Sequence, residues 1–427
     1  MTLTRPNLIR LLLPLAVFAA LLTVLAAVNR SEVPDLAPVD LGPPSGDAVV
    51  DSQRAVRADP SSAAAYAGLG DAYLQRARET GDPSFYSRAE RSFDAALRRD
   101  PSALGALVGA GTLAGLRHDF GEQLRLGTAA RRVAPDLARP LTVVADAQIE
   151  LGMYDDAGRS IQRLVDAKPG LASYSRASYL RELSGDTAGA VEAMRLAASA
   201  GGGAPENRAY VQALLGDLEL ARGHVAAARD AYLGALRSLR GHPPALVGLA
   251  RLDAAGGALR PAIARLRRAT RLLPLTTSLT LLADFELAAG QERRAGDDLA
   301  AARAQRRLYG SAGTGPDAEA VLFEAQHGDP DEAVRLGRSV WRSAPSVRSA
   351  DALGWALTRA GRPEAALRWS GEALKLGSRD PLFRFHAGVA AAAAGRREAA
   401  GGHLRIALRG RAMLSPAQVR QAEEALR

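Results

Sequence analysis

The 427-residue chain contains no cysteine. That absence excludes disulfides, thiolate metal sites, a cysteine nucleophile and a lipid-modified cysteine behind the leader. Aromatic residues make up only 5% against 47% hydrophobic residues, so the core has to be built from Ala, Leu, Val and Gly, the small-residue packing of closely approaching helices. A β-sandwich is not expected. Lysine is nearly missing as well: of the 55 basic residues only Lys168 and Lys375 are lysines. The net charge of +9 is therefore carried by arginine, whose fork matches phosphate oxygens. The arginines are scattered among acids along the whole chain, however, which is the pattern of a compositional bias towards Arg, Ala and Gly, and no nucleic-acid partner is expected.

Long apolar runs are absent with one exception. Arg5 and Arg10 precede Leu11–Val28, 18 residues without a charge. At about 1.5 Å per residue this run reaches about 27 Å, near the minimum for a hydrocarbon core and longer than a typical signal-peptide core. It reads as one N-terminal transmembrane helix; cleavage after the small residues around Ala26 and Ala27 is the alternative, and then the protein is exported. The basic residues lie before the run and Glu32, Asp35 and Asp40 after it, so residues 1–10 belong in the cytoplasm and the body outside it. The expected location is a single-pass membrane protein with an extracytoplasmic body. Residues 29–46, with Pro34, Pro38, Pro43, Pro44, Gly42 and Gly46, read as an extended spacer.

Beyond the spacer the dominant signal is a period. Pro101, Pro135 and Pro169 lie 34 residues apart, and between the last two Leu141, Val144, Ala145 and Ile149 form one helical stripe, Gly152 breaks it, and Ala157, Ile161, Leu164 and Val165 form a second. Each unit is a helix, a turn and a helix. Two such short helices cannot bury a face alone, so the units must stack into a solenoid.

These residues resemble the tetratricopeptide repeat family. The clearest first-helix match is Tyr66, Leu69, Gly70 and Tyr73, followed by Ala89, Phe93, Ala96 and Pro101, with about seven extra residues around Gly81 to Tyr86. Later matches run through Gly223, Ala228, Tyr232 and Ala235; Gly257, Ala262 and Leu266; Gly290 and Ala295; Gly328 and Ala333; Gly361 and Ala366; and Gly395, Ala400 and Leu404. A weaker copy at Gly185, Ala190, Met194 and Ala197 has little apolar signal in its first helix. The resemblance implies an all-α superhelical solenoid of about ten repeats over residues 47–410, with a lone helix before the first copy and a capping helix in 411–427 opened by Ser415 and Pro416. Gly201-Gly202-Gly203 (near 201–204) and the segment 309–316 interrupt the period and are candidate seams.

Enzyme signatures are not found, and no cofactor or metal is expected. Gly109, Gly111 and Gly115 fall inside a repeat helix with no strand before them, which is close packing rather than a phosphate loop. The six histidines do not pair at metal-ligand spacing. Neighbouring acids such as Asp297 and Asp298 do not share a helix face and read as solvated, as do the basic second-helix stretches Arg265, Arg267, Arg268, Arg271, Arg303, Arg306 and Arg307.

The candidate site is the concave groove lined by the first helices of the repeats. Asp71, Asp146, Asp217 and Asp284 occupy one register there and suit a basic or hydroxyl-rich ligand, while Trp355 and Phe385 are candidate groove-side anchors. The resemblance implies a non-catalytic scaffold with protein or peptide partners; the alternative is an accessory of exopolysaccharide or envelope-polymer assembly or export, binding a glycan or its machinery.

Overall fold

The computed structural model describes residues 45–200 and 204–427. Residues 1–44, which take in the apolar run, the end expected in the cytoplasm and nearly all of the expected spacer, and Gly201-Gly202-Gly203 lie outside the described residues. Among the described residues no helix is long and apolar enough to cross a membrane, and every regular element is helical.

A lone helix α1 (Ala48–Ala58) is followed by ten helix pairs. The first helices of the pairs, called A, are α2 (Ala63–Thr80), α4 (Leu104–Leu116), α6 (Ala138–Glu150), α8 (Leu171–Leu183), α10 (Pro205–Ala221), α12 (Pro243–Ala255), α14 (Thr276–Ala288), α16 (Ala318–His327), α18 (Val347–Arg359) and α20 (Pro381–Ala393). Their B partners are α3 (Ser84–Arg99), α5 (Phe120–Val133), α7 (Tyr154–Ala167), α9 (Thr187–Ser199), α11 (Val225–Ser238), α13 (Leu259–Leu272), α15 (Glu292–Ser311), α17 (Pro330–Ser343), α19 (Pro363–Ala373) and α21 (Arg397–Arg409). A 3-10 turn (Arg411–Met413) and α22 (Pro416–Ala425) end the chain.

Local chemistry sets these boundaries. Asp119, Asp186, Asp317 and Asp329 each accept backbone N–H bonds at a helix start, and Ser415 with Gln418 forms a capping box ahead of Pro416. In the first copy the extra residues do not form an inserted loop. They lengthen the helices, α2 to 18 residues and α3 to 16.

Packing between copies rests on an aromatic ring held between two glycines. The Phe93 ring of α3 lies so close to Gly70 of α2 and Gly109 of α4 that a Cβ at either position would collide with it. Tyr232 of α11 is held in the same way by Gly216 of α10 and Gly248 of α12. Both rings are almost wholly buried, and burying one such side chain is worth about 1.5 to 3 kcal/mol. The glycines of the Gly109 to Gly115 stretch are thus packing residues.

Ion pairs reinforce the stack. Glu219 of α10 is buried and meets Arg195 of the preceding B helix at 2.7 Å, with Arg222 and His224 completing its shell. Glu286 of α14 is likewise buried and meets Arg267 of α13, Arg306 of α15 lies 3.8 Å from Glu324 of α16, and Arg265 pairs with Asp253. The basic B-helix residues read as solvated are, at these positions, fasteners between helices. Asp298 also departs from its expected solvated state: burial and then a hydrogen bond with Glu286 push its pKa up to about 6. Among the described residues Glu286 Oε2 has no hydrogen-bond partner.

The coil is closed by contacts that no repeat pattern announces. The A–B turn of each early copy stacks on a junction in the later half of the array. At copy one, Tyr309 Oη donates to Gly81 O at 3.3 Å. At copy two, Gly315 N donates to Arg117 O at 2.9 Å. At copy three, Val347 N donates to Tyr154 Oη at 2.7 Å, and Gly152 abuts the Pro345 carbonyl. At copy four Gly185 abuts Gly377 O, and at copy five Gly223 abuts Arg409 O. The 309–316 segment, a candidate seam from its glycines and proline, is pinned by these bonds to copies one and two. The C-terminal turn continues the stacking: Arg251 of α12 donates to Met413 O, and Ala412 enters the core shared by α10 and α12.

His118 tests this arrangement. It stands where the other turns place glycine, with a positive φ of 62°, and its Nδ1 lies 2.8 Å from Gly315 O, so the ring bridges the two layers where elsewhere backbone meets backbone. The turn glycines of copies six, seven, nine and ten have open space around them.

Two of these glycines form a matched pair for measurement. Gly185 has φ +76° and a covered Cβ position, whereas Gly395 has φ +72° and an open one. Gly395→Ala should carry only the left-handed cost, about 1 to 2 kcal/mol. Gly185→Ala should add about 1 to 3 kcal/mol from forcing the two layers apart. Thermal melts of both variants check this, and equal losses would show that the stacking is not rigid.

Candidate functional site

Closing the coil faces the concave groove with the second layer and leaves a lumen of partly open cavities. A 560 Å³ cavity is lined by α4, α6 and α8, through Thr112, Thr142, Asp146, Glu150, Arg176 and Tyr179 among others. A 220 Å³ cavity adjoins it across Tyr179 and takes its wall from both layers: Glu182 of α8, Glu319 of α16, Arg348 and Asp351 of α18, and Asp380 at the start of α20. Arg348 bonds Glu319 at 2.9 Å and reaches Tyr179 Oη at 3.5 Å. Glu319 and Arg348 keep 40% and 39% of their side-chain surface open although protein surrounds them, as expected for groups lining a water-filled interior.

The four aspartates of the sequence register are not four free carboxylates. Asp146 is held by Arg176 in a two-pronged bond, both distances 2.7 Å. Asp71 lies 3.4 Å from Arg139 of α6, and burial raises its pKa while Arg139 opposes the rise. Asp217 accepts from Tyr232 Oη at 2.7 Å; burial raises its pKa and this bond lowers it. Asp284 lies 3.1 Å from His327 Nε2. Only Asp146 is among the residues lining these two cavities. The shared register places the acids on equivalent faces, but each finds a different partner inside the fold.

Trp355 and Phe385 are not groove anchors. They are 2% and 0% exposed, their rings pack at 5.6 Å, and Trp355 stacks on His386, which bonds Asp351 at 2.9 Å. The large rings fill space between α18 and α20 that the surrounding alanines leave empty. A sugar-stacking role loses its anchor here.

The acids that do face the lumen were not apparent in the sequence. Among the described residues the Glu150 and Glu182 carboxyls have no hydrogen-bond or ion-pair partner, and burial raises both. For Glu182 the rise is to about 8, with Asp380 and Asp217 adding to it and Arg348 opposing it. Glu319 and Asp380 are raised for the same first reason. One signal was available: Glu150 follows Asp146 by four residues and so shares its helix face. Glu182 and Glu319 carried no comparable mark, since only the layering brings α8 and α16 together. The weak apolar pattern of α8 is explained by the same placement, because its Tyr179 and Glu182 face water inside the coil while Ser173 and Ser178 serve as its buried contacts.

A third cavity, of 780 Å³, lies between the layers, lined by Tyr86, His118, Thr276, Arg303, Arg306 and Tyr309 among others. Its arginines are offset by Asp317, Glu319 and Glu324, so its charge selects no ligand. Among the described residues no group of three His, Asp or Glu side chains could hold a metal.

No family model matches this chain, and no curated protein matches it. Solved structures do resemble it. The human IFIT1 dimer with PPP-AAAA aligns at 16% identity over 74% of this chain and 73% of that one, with a TM-score of 0.48. The APC/C hetero-tetramer Cut9-Hcn1 aligns at 16% identity over 89% and 81%, with a TM-score of 0.37. The P58(IPK) TPR domain aligns at 16% identity over 85% and 97%, with a TM-score of 0.26. All three TM-scores lie below 0.5, and the helical-repeat architecture rests on the chain's own ten helix pairs.

The raised carboxyl of Glu182 fixes the sign of a pH effect. An acid that binds its proton more tightly in the folded state loses stability for the fold as pH rises from its ordinary 4.5 through about 8. Glu182→Gln should therefore flatten the decline in melting temperature between pH 5 and pH 8.5 and leave the variant more stable at the upper end, by about 1 to 3 °C. Parallel melts across that range check the sign.

Proposed function

We propose that the protein is a non-catalytic repeat scaffold that holds an extended segment of a partner protein in its lumen, tethered to a membrane by its N-terminal apolar run with the repeat body outside the cytoplasm. The observation that carries the binding reading is the continuous cavity along α4, α6 and α8. Successive A helices offer it side chains at regular intervals, which suits a chain-like ligand more than a compact one. Clustered titratable groups are present and Ser378 lies among them, but among the described residues its Oγ accepts from Asp380 N and bonds no side-chain base in the manner of an acid/base pair at work. The tethering reading rests on Leu11–Val28 and the arginines before it. Exposed groove aromatics would favour the glycan reading, and the burial of Trp355 and Phe385 weakens it.

Two measurements test this. A photo-crosslinking residue at Thr142, which lines the cavity, should capture partner protein in membranes, whereas the same residue at Gln162, exposed on the outer helix α7, should not. Capture from Gln162 alone would reject the lumen as the binding surface. Independently, a reporter active only outside the cytoplasm and fused after residue 50 should give signal, and signal from a cytoplasmic reporter instead would reject the proposed orientation.

A further inference from the structure

The chemistry of the partner segment can be read from the charges that the lumen leaves unanswered. Most interior acids have a counter-charge or donor supplied by the chain: Arg176 for Asp146, Arg348 for Glu319, His386 for Asp351, and the backbone of Leu382 and Phe383 for Asp380. Glu150 and Glu182 are the exceptions. They flank Arg348 on the two adjoining cavities, and the electrostatic influence of Arg348 is felt at both without a bond to either.

Two further observations point to a ligand. Gln123 lines the larger cavity, is only 5% exposed, and has an Oε1 with no hydrogen-bond partner; a buried amide oxygen left unpaired is costly unless a donor arrives. Tyr210 is 51% exposed on α10, unusual for a large ring in a chain so poor in aromatics, and it stands within electrostatic reach of Asp146, Arg176 and Asp217. Tyr210 lies outside the lining of both cavities and its neighbours Asp146 and Asp217 are already answered, so its open ring offers a cationic side chain a cation–π contact on the approach rather than a free carboxylate.

Resting on the scaffold reading above, we infer that the lumen takes a lysine- or arginine-bearing peptide segment, with Glu150 and Glu182 receiving its cations and Gln123 Oε1 accepting a donor from it. A peptide is favoured over a free polyamine because the polar features are spread along two adjoining cavities and interleaved with an amide acceptor and rings, which a bare methylene chain cannot satisfy. The exterior adds selectivity. The chain as a whole carries +9, so a cationic probe is repelled everywhere except where the interior acids outnumber their partners. Such a ligand would touch α6 in the first layer and sit beside Arg348 and Asp380 of the second, so its binding would also tie the two layers together.

The test uses the full chain in detergent and a fluorescein-labelled octalysine peptide, read by anisotropy at pH 9, where Glu182 is ionised, at low and moderate salt. Octalysine should bind, and the double variant Glu150→Gln, Glu182→Gln should weaken binding about tenfold, as expected for the loss of two charge-assisted contacts. The matched variant Glu192→Gln, Glu398→Gln removes the same charge from exposed positions on the B helices and should bind like the parent. Melting curves for both variants confirm folding, and the lumen variant should melt no lower than the parent, since its carboxylates are unpartnered. Equal weakening by the two double variants, or tighter binding of octaglutamate than of octalysine, would overturn the inference. Spermidine displacing the peptide at equal concentration would overturn the assignment to a peptide. If octalysine fails while Thr142 still captures a partner, the cationic class falls and the scaffold reading stands; if octalysine binds while Thr142 captures nothing, the reverse holds.

Discussion

The contact on which the rest of this structure depends is backbone against backbone, where the A–B turns of the early copies meet junctions of the later ones. At Gly152 and Gly185 a carbonyl oxygen from the second layer occupies the space that a Cβ would need. Glycine is required there twice over, for the left-handed turn and for the approach. An open solenoid would present its concave face to bulk water. Here the stacking encloses it, so that carboxylates distant in sequence share one interior and lose part of their hydration together.

That enclosure explains the electrostatics. A glutamate on the inner face of an open array would remain near its ordinary ionisation, because water and salt screen it. Glu182 instead looks across at Asp380 from a layer built about two hundred residues later in the chain, and its proton is held to about pH 8. Arg348 stands in the midst of this as the single internal cation of the smaller cavity. The fold thus concentrates acidic side chains inside a chain whose sum is positive, a separation that composition alone conceals.

Stability is distributed on a different principle. Repeats one and two, and five and six, are fastened by a ring between glycines, and repeats four and five, and six and seven, by a B-helix arginine on a buried glutamate. These contacts are local, and they recur. The interlayer contacts are few, differ from copy to copy, and include the histidine at position 118 and the tyrosines at 154 and 309. A solenoid held only by its nearest neighbours can bend; one also pinned between layers at five places holds a fixed lumen.

The repeat was legible in the sequence because it is a property of short segments: a 34-residue spacing, a turn glycine and an apolar stripe on each side are sufficient for paired helices, and Ser415 with Pro416 marks the last start. The register of Asp71, Asp146, Asp217 and Asp284 was also visible, since equivalent positions repeat with the period. What each aspartate would meet was not, because Arg176, Tyr232 and His327 come from different elements in each case. Nor could a sequence distinguish Trp355 and Phe385 in a core from the same rings in a groove, as both faces of an A helix in an alanine-rich array look apolar. The lumen acids were beyond reach for a more general reason. Helical periodicity reports which residues share a face, whereas the pitch of a superhelix is summed from small rotations at every interface, and only that sum decides that α8 lies beside α16 and that Glu182 is enclosed.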